Sequence, residues 1–149
     1  MQKFLSEKVS DKEYRITILM NGAVVEEEQA SSDHEEKKKH TVIAIASDRM
    51  GEGNDELGKV LMKGFIFAVT QLDELPETML IYNGGATITA EGSDSIEDLK
   101  LLEEQGVEIL TCGTCLNYYE MTDKLQVGTV TNMYSIVEKL AGADKIIRP

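Results

Sequence analysis

Two cysteines stand three residues apart in this 149-residue chain, as Cys112-Gly113-Thr114-Cys115, and they are the only cysteines in it. A thiolate attacks sulfur electrophiles, and a second thiol at this spacing assists or resolves what the first has captured. The setting favours such chemistry. Residues 107–110 form an apolar strand pattern and residues 116–119 a short helix, so the pair falls after a strand and at the start of a helix. In open parallel α/β sheets ligand sites form at the carboxyl ends of strands. Backbone N–H groups and the positive end of a helix dipole both favour the thiolate there. A lone cysteine in this place is as readily a buried small hydrophobe. Two of them, separated by small residues at a strand end, tip the reading toward function.

Three chemistries compete for the pair. A structural zinc site needs four ligands, and the CxxC supplies two. The only histidines, His34 and His40, lie in a polar segment, so a metal site within one chain is disfavoured. A thioredoxin-like dithiol needs a proline loop facing the cysteines. The only prolines are Pro76 and Pro149, neither well placed. The third is a sulfur or selenium carrier, in which one thiolate holds a persulfide-type adduct. It obeys the rules of thiol–disulfide exchange and requires no metal or nucleotide.

Other polar residues belong to the same expected sheet edge. The turn from Gly51 to Gly58, GEGNDELG, follows a strand and opens a helix. Its spacing is GxGxxxxG, not the dinucleotide GxGxxG, and Glu52, Asp55 and Glu56 oppose a pyrophosphate. It is either a plain tight turn or a loop flanking the cysteines, with Arg49 and Asn54 as its polar groups. Asn83 ends a strand and either hydrogen-bonds a substrate anion or caps its own turn. Gly113 and Thr114, between the cysteines, complete the candidate substrate-binding set. Asn132 is read as an N-cap, Tyr118 and Tyr119 as packing residues, and the seven methionines as core fillers.

The elements that must position these residues alternate. Residues 41–47 (TVIAIAS) form a continuous β-branched run, the mark of a central buried strand. Residues 55–72 follow as a helix capped by Asn54. Leu57, Leu61, Phe65, Ala68 and Leu72 make one apolar stripe, and Met62, Ile66 and Val69 a second. A helix apolar on two sides is deeply buried or part of a subunit interface. Strands are expected over 78–82, 107–110, 127–130 and 145–147. Residues 86–90 are a short strand or a loop. Helices are expected over 96–105, 116–119 and 133–140, with Gly106 ending the first of these. This alternation implies an α/β fold, a parallel sheet with helices on both faces.

Charge divides the chain. Residues 1–40 carry nine acidic and seven basic side chains; residues 41–149 carry 18 and eight. The net charge of −12 lies mostly in the second part, which disfavours nucleic acid and anionic membranes as partners. No signal peptide or membrane-length apolar run is present, and two cysteines are no secreted framework; the expectation is a cytoplasmic protein. Residues 26–40, EEEQASSDHEEKKKH, bury almost nothing and are expected to be a linker or a short helical extension. Residues 1–25 offer a helix end and one alternating strand around Tyr14, Ile16 and Ile18, too little for an independent domain.

The blocks GEGNDELGKVLMKGFIFAVTQL, LIYNGGATIT, ILTCGTCLNYY and VGTVTNMYSIVEKLAGADKII closely resemble the C-terminal domain of the YedF-like selenium metabolism proteins. These are sulfurtransferase-like members of the DsrE/DsrF-like superfamily, and the resemblance covers residues 41–149. It implies a three-layer α/β/α fold with a mainly parallel five-stranded sheet, homo-oligomers, and a persulfide on the strand-end cysteine matched by Cys112. Cys115, from the narrower YedF-like pattern, would assist or resolve. A cysteine desulfurase or a TusA-like protein is the implied sulfur donor or acceptor. MQKFLSEK and EYRITILMNG resemble the last helix and strand of a TusA-like domain without its Cys-Pro-x-Pro motif, the expectation being a truncated remnant. The alternative function is a non-catalytic oligomeric scaffold or a redox-sensing binding module.

Overall fold

The computed structural model describes residues 39–149. The expected remnant over 1–25, and the linker up to residue 38, lie outside the described residues. The described chain builds one five-stranded sheet. Its strands are β1 (Thr41–Ile45), β2 (Thr78–Ile81), β3 (Glu108–Cys112), β4 (Thr129–Thr131) and β5 (Lys145–Ile147). They lie in the order β4-β3-β2-β1-β5, and every pairing is parallel rather than mainly so. Four α-helices connect them: α1 (Asp55–Thr70), α2 (Ile96–Glu104), α3 (Gly113–Tyr118) and α4 (Met133–Ala141). A 3₁₀ helix spans Asn83–Thr89 and a shorter one Thr122–Lys124.

The three layers follow from the period-2 alternation of the strands. Ile43, Ile45, Met79, Ile81 and Ile109 point to one face, where Met62, Ile66 and Val69 of α1 and Leu99 and Leu102 of α2 cover them. Val42, Leu80, Leu110 and Cys112 point to the other, against Ile136 of α4. A strand covered on both faces must be apolar throughout, hence the unbroken runs in β1 and β2. The two edge strands, β4 and β5, are only three residues each. Short edges leave little backbone for unwanted pairing.

Caps set the helix starts. Asn54 Oδ1 accepts the Leu57 N–H at 2.8 Å, and Asn132 Oδ1 accepts the Ser135 N–H at 2.8 Å. Gly106 follows α2 with φ of +102°, a conformation that costs glycine nothing. Of the two apolar stripes of α1, the chain buries Met62, Ile66 and Val69; Leu57, Leu61 and Leu72 remain exposed. Residues 86–90 form neither an ordinary strand nor a loop. They complete the 3₁₀ helix, and Ala90 makes one antiparallel bridge to Leu125.

Strand β3 runs to Cys112, two residues beyond its expected end. Thr111 pairs with Ile81 and Val130, and Cys112 with Thr131, so neighbours on both sides extend the ladder. The fully buried Thr111 hydroxyl is satisfied by Thr89 Oγ1 at 2.9 Å. His40, last residue of the expected linker, is held at the opposite sheet edge. Its N–H donates to Asp144 Oδ2 at 2.8 Å and its ring meets Glu77 at 2.6 Å. Among the described residues no helix is long and apolar enough to cross a membrane.

Candidate functional site

Cys112 is the last residue of β3 and the N-cap of α3, with extended backbone (φ −62°, ψ 124°). Cys115 is the third residue of that helix. N-cap and N3 side chains face one another across a first helical turn, the relation a capping box exploits. Here the two groups are thiols, and both are free. The spacing of the motif therefore places the sulfurs together because strand gives way to helix at Cys112 itself. Gly113 permits the junction. A Cβ on it would lie 2.9 Å from Val130 Cγ1 and 3.5 Å from the Thr131 carbonyl. Thr114 is exposed beside them.

The sulfurs differ in depth. Cys112 is 3% exposed and packs with Val42, Leu80, Leu110 and Ile136. Cys115 is half-buried, at the border of that cluster. The backbone N–H of Asn83 donates to Cys115 Sγ at 3.0 Å. Burial pushes the Cys115 thiol above its ordinary value, and the adjacent Cys112 thiol pushes the same way. The Asn83 N–H pulls it down without reversing the shift. The expectation that a strand end and a helix start favour the thiolate is thus corrected for Cys115. Desolvation of the half-buried sulfur is the largest influence on it.

Asn83 reaches the site through its backbone, and its side chain serves another purpose. Its Oδ1 accepts from the Tyr119 hydroxyl at 3.2 Å. Asn83 opens the 3₁₀ helix in the left-handed region, φ +50°, which asparagine tolerates better than most residues. That helix is pinned against the end of β1. Tyr82 N–H donates to the Ile45 carbonyl at 3.0 Å, and a Cβ on Gly85 would come 2.6 Å from that same oxygen. Tyr119 does not simply pack: it is 38% exposed, and Tyr118, 81% exposed, meets it edge-on with ring centroids 5.4 Å apart. Tyr119 is the member whose role sequence reasoning missed. It has no local signal, because its partner Asn83 is supplied by a different element.

Arg49 and Asn54 stay on the loop between β1 and α1. Arg49 Nε pairs with Asp48 at 2.9 Å and its guanidinium with Asp55 at 3.0 Å. Asn54 spends its side-chain oxygen on the cap of α1. The cavity Arg49 borders is lined from β1, this loop and the C-terminus, and neither cysteine nor Asn83 lines it. The structure thus brings Cys112, Gly113, Thr114, Cys115 and Asn83 together and leaves Arg49 and Asn54 to their own turn. Among the described residues no cluster of three or more His, Cys, Asp and Glu side chains is arranged to hold a metal ion.

No family model matches this chain, and no curated protein matches it. Solved structures do. MTH1491 from Methanobacterium thermoautotrophicum, a protein of unknown function, superposes with a TM-score of 0.58 at 22% identity, over 75% of this chain and 100% of that one. The YchN protein from E. coli superposes with a TM-score of 0.56 at 15% identity, over 74% of this chain and 99% of that one. At such identities the likeness is one of fold. The chain shares with them an α/β fold, here a five-stranded parallel sheet with helices on both faces.

Proposed function

We propose that this protein carries sulfur or selenium as a persulfide-type adduct on its cysteine pair. The observation that carries the reading is the meeting of two free thiols at the carboxyl edge of the sheet, with the Asn83 N–H on Cys115 Sγ at 3.0 Å. The finer resemblance to YedF-like proteins supports the same chemistry. Depth supports giving Cys115 the first encounter, although the resemblance pairs the carrier with Cys112: a donor reaches a half-buried sulfur before one that is 3% exposed. The Cys115 thiolate attacks the outer sulfur of a donor persulfide, the donor S–S bond breaks, and the donor leaves as a thiolate that takes up a proton. An acceptor thiolate then attacks the new outer sulfur and returns Cys115. No net oxidation occurs in either transfer. A cysteine desulfurase or a TusA-like protein suits the donor or acceptor role, in the cytoplasm, and copies of the chain assemble with one another.

A second reading, a redox-sensing or scaffold protein, has two observations in its favour. Cys112 packs as a small hydrophobe and the Cys115 thiol is raised rather than lowered. Incubation with a cysteine desulfurase and cysteine, followed by mass spectrometry, separates the two. A one-sulfur mass increase, lost in Cys115→Ser, is expected of the carrier. Loss in Cys112→Ser alone would exchange the roles of the two cysteines. No adduct, under conditions that load a known carrier, would sink the carrier reading.

A further inference from the structure

Asn83 and Tyr119 come from elements far apart in the chain, yet they form one hydrogen-bonded line ending on a cysteine sulfur. Tyr119 O–H donates to Asn83 Oδ1 at 3.2 Å, and Asn83 N–H donates to Cys115 Sγ at 3.0 Å. We propose that this pair positions Cys115: the left-handed backbone at Asn83 aims its N–H at the sulfur, and the Tyr119 hydroxyl locks Asn83 in that conformation. The proposal rests on the carrier reading for its purpose, and on geometry alone for its existence.

Both ends of the line are built, and at each a residue other than glycine holds a positive φ. Asn83 at +50° and Glu120 at +57° are the only such residues described. At Asn83 the conformation turns the chain from β2 into the 3₁₀ helix, with the N–H pointing back to α3. At Glu120 it stops α3. The Glu120 N–H donates to the Asn117 carbonyl at 3.0 Å, and the Met121 N–H to the Leu116 carbonyl at 2.7 Å. This paired closure is the Schellman arrangement, usually completed by glycine. It ends the helix at Tyr118 and leaves Tyr119, as the cap, beside Asn83. Left-handed backbone in a residue with a Cβ persists where surrounding contacts over-determine it, and it gathers at functional sites.

An N–H fixed on sulfur stabilises the thiolate more than the thiol. That is its direction here: it pulls Cys115 down against burial and against Cys112. The Cys112 thiol, from β3, is the titratable group acting on Cys115; no charged side chain of the described residues acts on it. The line therefore offsets the cost of half-burying the sulfur.

The test is the pH profile of alkylation at Cys115, with the adduct located by fragment mass spectrometry, in the full-length chain and its variants. It needs no sulfur donor, so its outcome is independent of whether the protein loads sulfur. Tyr119→Phe keeps the ring and removes only the hydroxyl; the neutral-pH rate at Cys115 should fall about threefold, as the loss of one net hydrogen bond implies. Asn83→Ala places a poorly tolerated residue in the left-handed region and should lower the rate about tenfold, with the midpoint moved to higher pH. Asn83→Gly keeps the backbone conformation and should fall no further than Tyr119→Phe, and the double variant Tyr119→Phe with Asn83→Gly no further than either. Wild-type rates and midpoint in both Tyr119→Phe and Asn83→Ala would overturn the proposal. So would equal effects of Asn83→Gly and Asn83→Ala, because the conformation would then be irrelevant.

Discussion

At the scale of single residues, the chemistry of the site depends on the contrast between two sulfurs one helical turn apart. Cys112 is inside the core and Cys115 at its border. The Cys115 thiol is raised by burial first and by Cys112 second, so it is mostly protonated at neutral pH and reacts faster as pH rises through its elevated value. Removing Cys112 removes one of the raising influences. Cys112→Ala is therefore expected to move the alkylation midpoint of Cys115 to lower pH and to speed its reaction at neutral pH. An unchanged or higher midpoint would show that Cys112 does not raise it. The candidate pair was legible as a CxxC. Asn83 was legible as a residue of the same sheet edge, but its hold on Cys115 was not, because it acts from 32 residues earlier through a backbone N–H.

At the scale of elements, local chemistry decides where helices begin, and tertiary neighbours decide where strands end. Asn54 and Asn132 were readable as caps because an Asx oxygen satisfies its own helix from a fixed offset. Each accepts a single N–H three residues on, at 2.8 Å. Asn54→Ala and Asn132→Ala are each expected to cost about 1 kcal/mol. They sit on different helices with no shared partner, so the double variant should lose the sum. Urea unfolding of the four proteins checks both statements; a strongly sub-additive double variant would mean that the caps are coupled. The end of β3 was less legible. Thr111 joins the ladder between Ile81 of β2 and Val130 of β4, and Cys112 through Thr131 of β4 alone. No pattern within residues 107–112 announces those partners. The 3₁₀ helix over Asn83–Thr89 was equally hidden, since its place is set by the Ile45 carbonyl and by the Thr89–Thr111 bond.

At the scale of the whole molecule, α1 carries an apolar face that no other described element covers. Leu57, Val60, Leu61 and Phe67 are 46–64% exposed, although the same helix buries Met62, Ile66 and Val69 on its other side. Covering that face with further copies of the chain is the assembly expected here. Residues 41–149 carry 18 acidic against eight basic side chains, so such an assembly is expected to loosen at low salt and tighten as salt screens the like charges. Light scattering at micromolar concentration should return a multiple of the chain mass. Leu61→Asp should return a single chain with unchanged helical content, as Leu61 is not needed by the core. A wild-type monomer at low and high salt alike would refute this. The acidic balance remains the reason nucleic acid is not an expected partner.

The sequence by itself determined the α/β class, the five strands in their places, the caps of α1 and α4, and the cysteine pair at a sheet edge. All of these are local: an apolar period, an Asx offset, two thiols one helical turn apart. The tertiary structure alone decided which stripe of α1 is buried, that Cys112 is the deeper sulfur, that Arg49 and Asn54 serve their own turn, and that Asn83 and Tyr119 meet at Cys115. Those outcomes belong to contacts between residues tens of positions apart, and the energy of such a contact is set by the element that arrives from elsewhere in the chain.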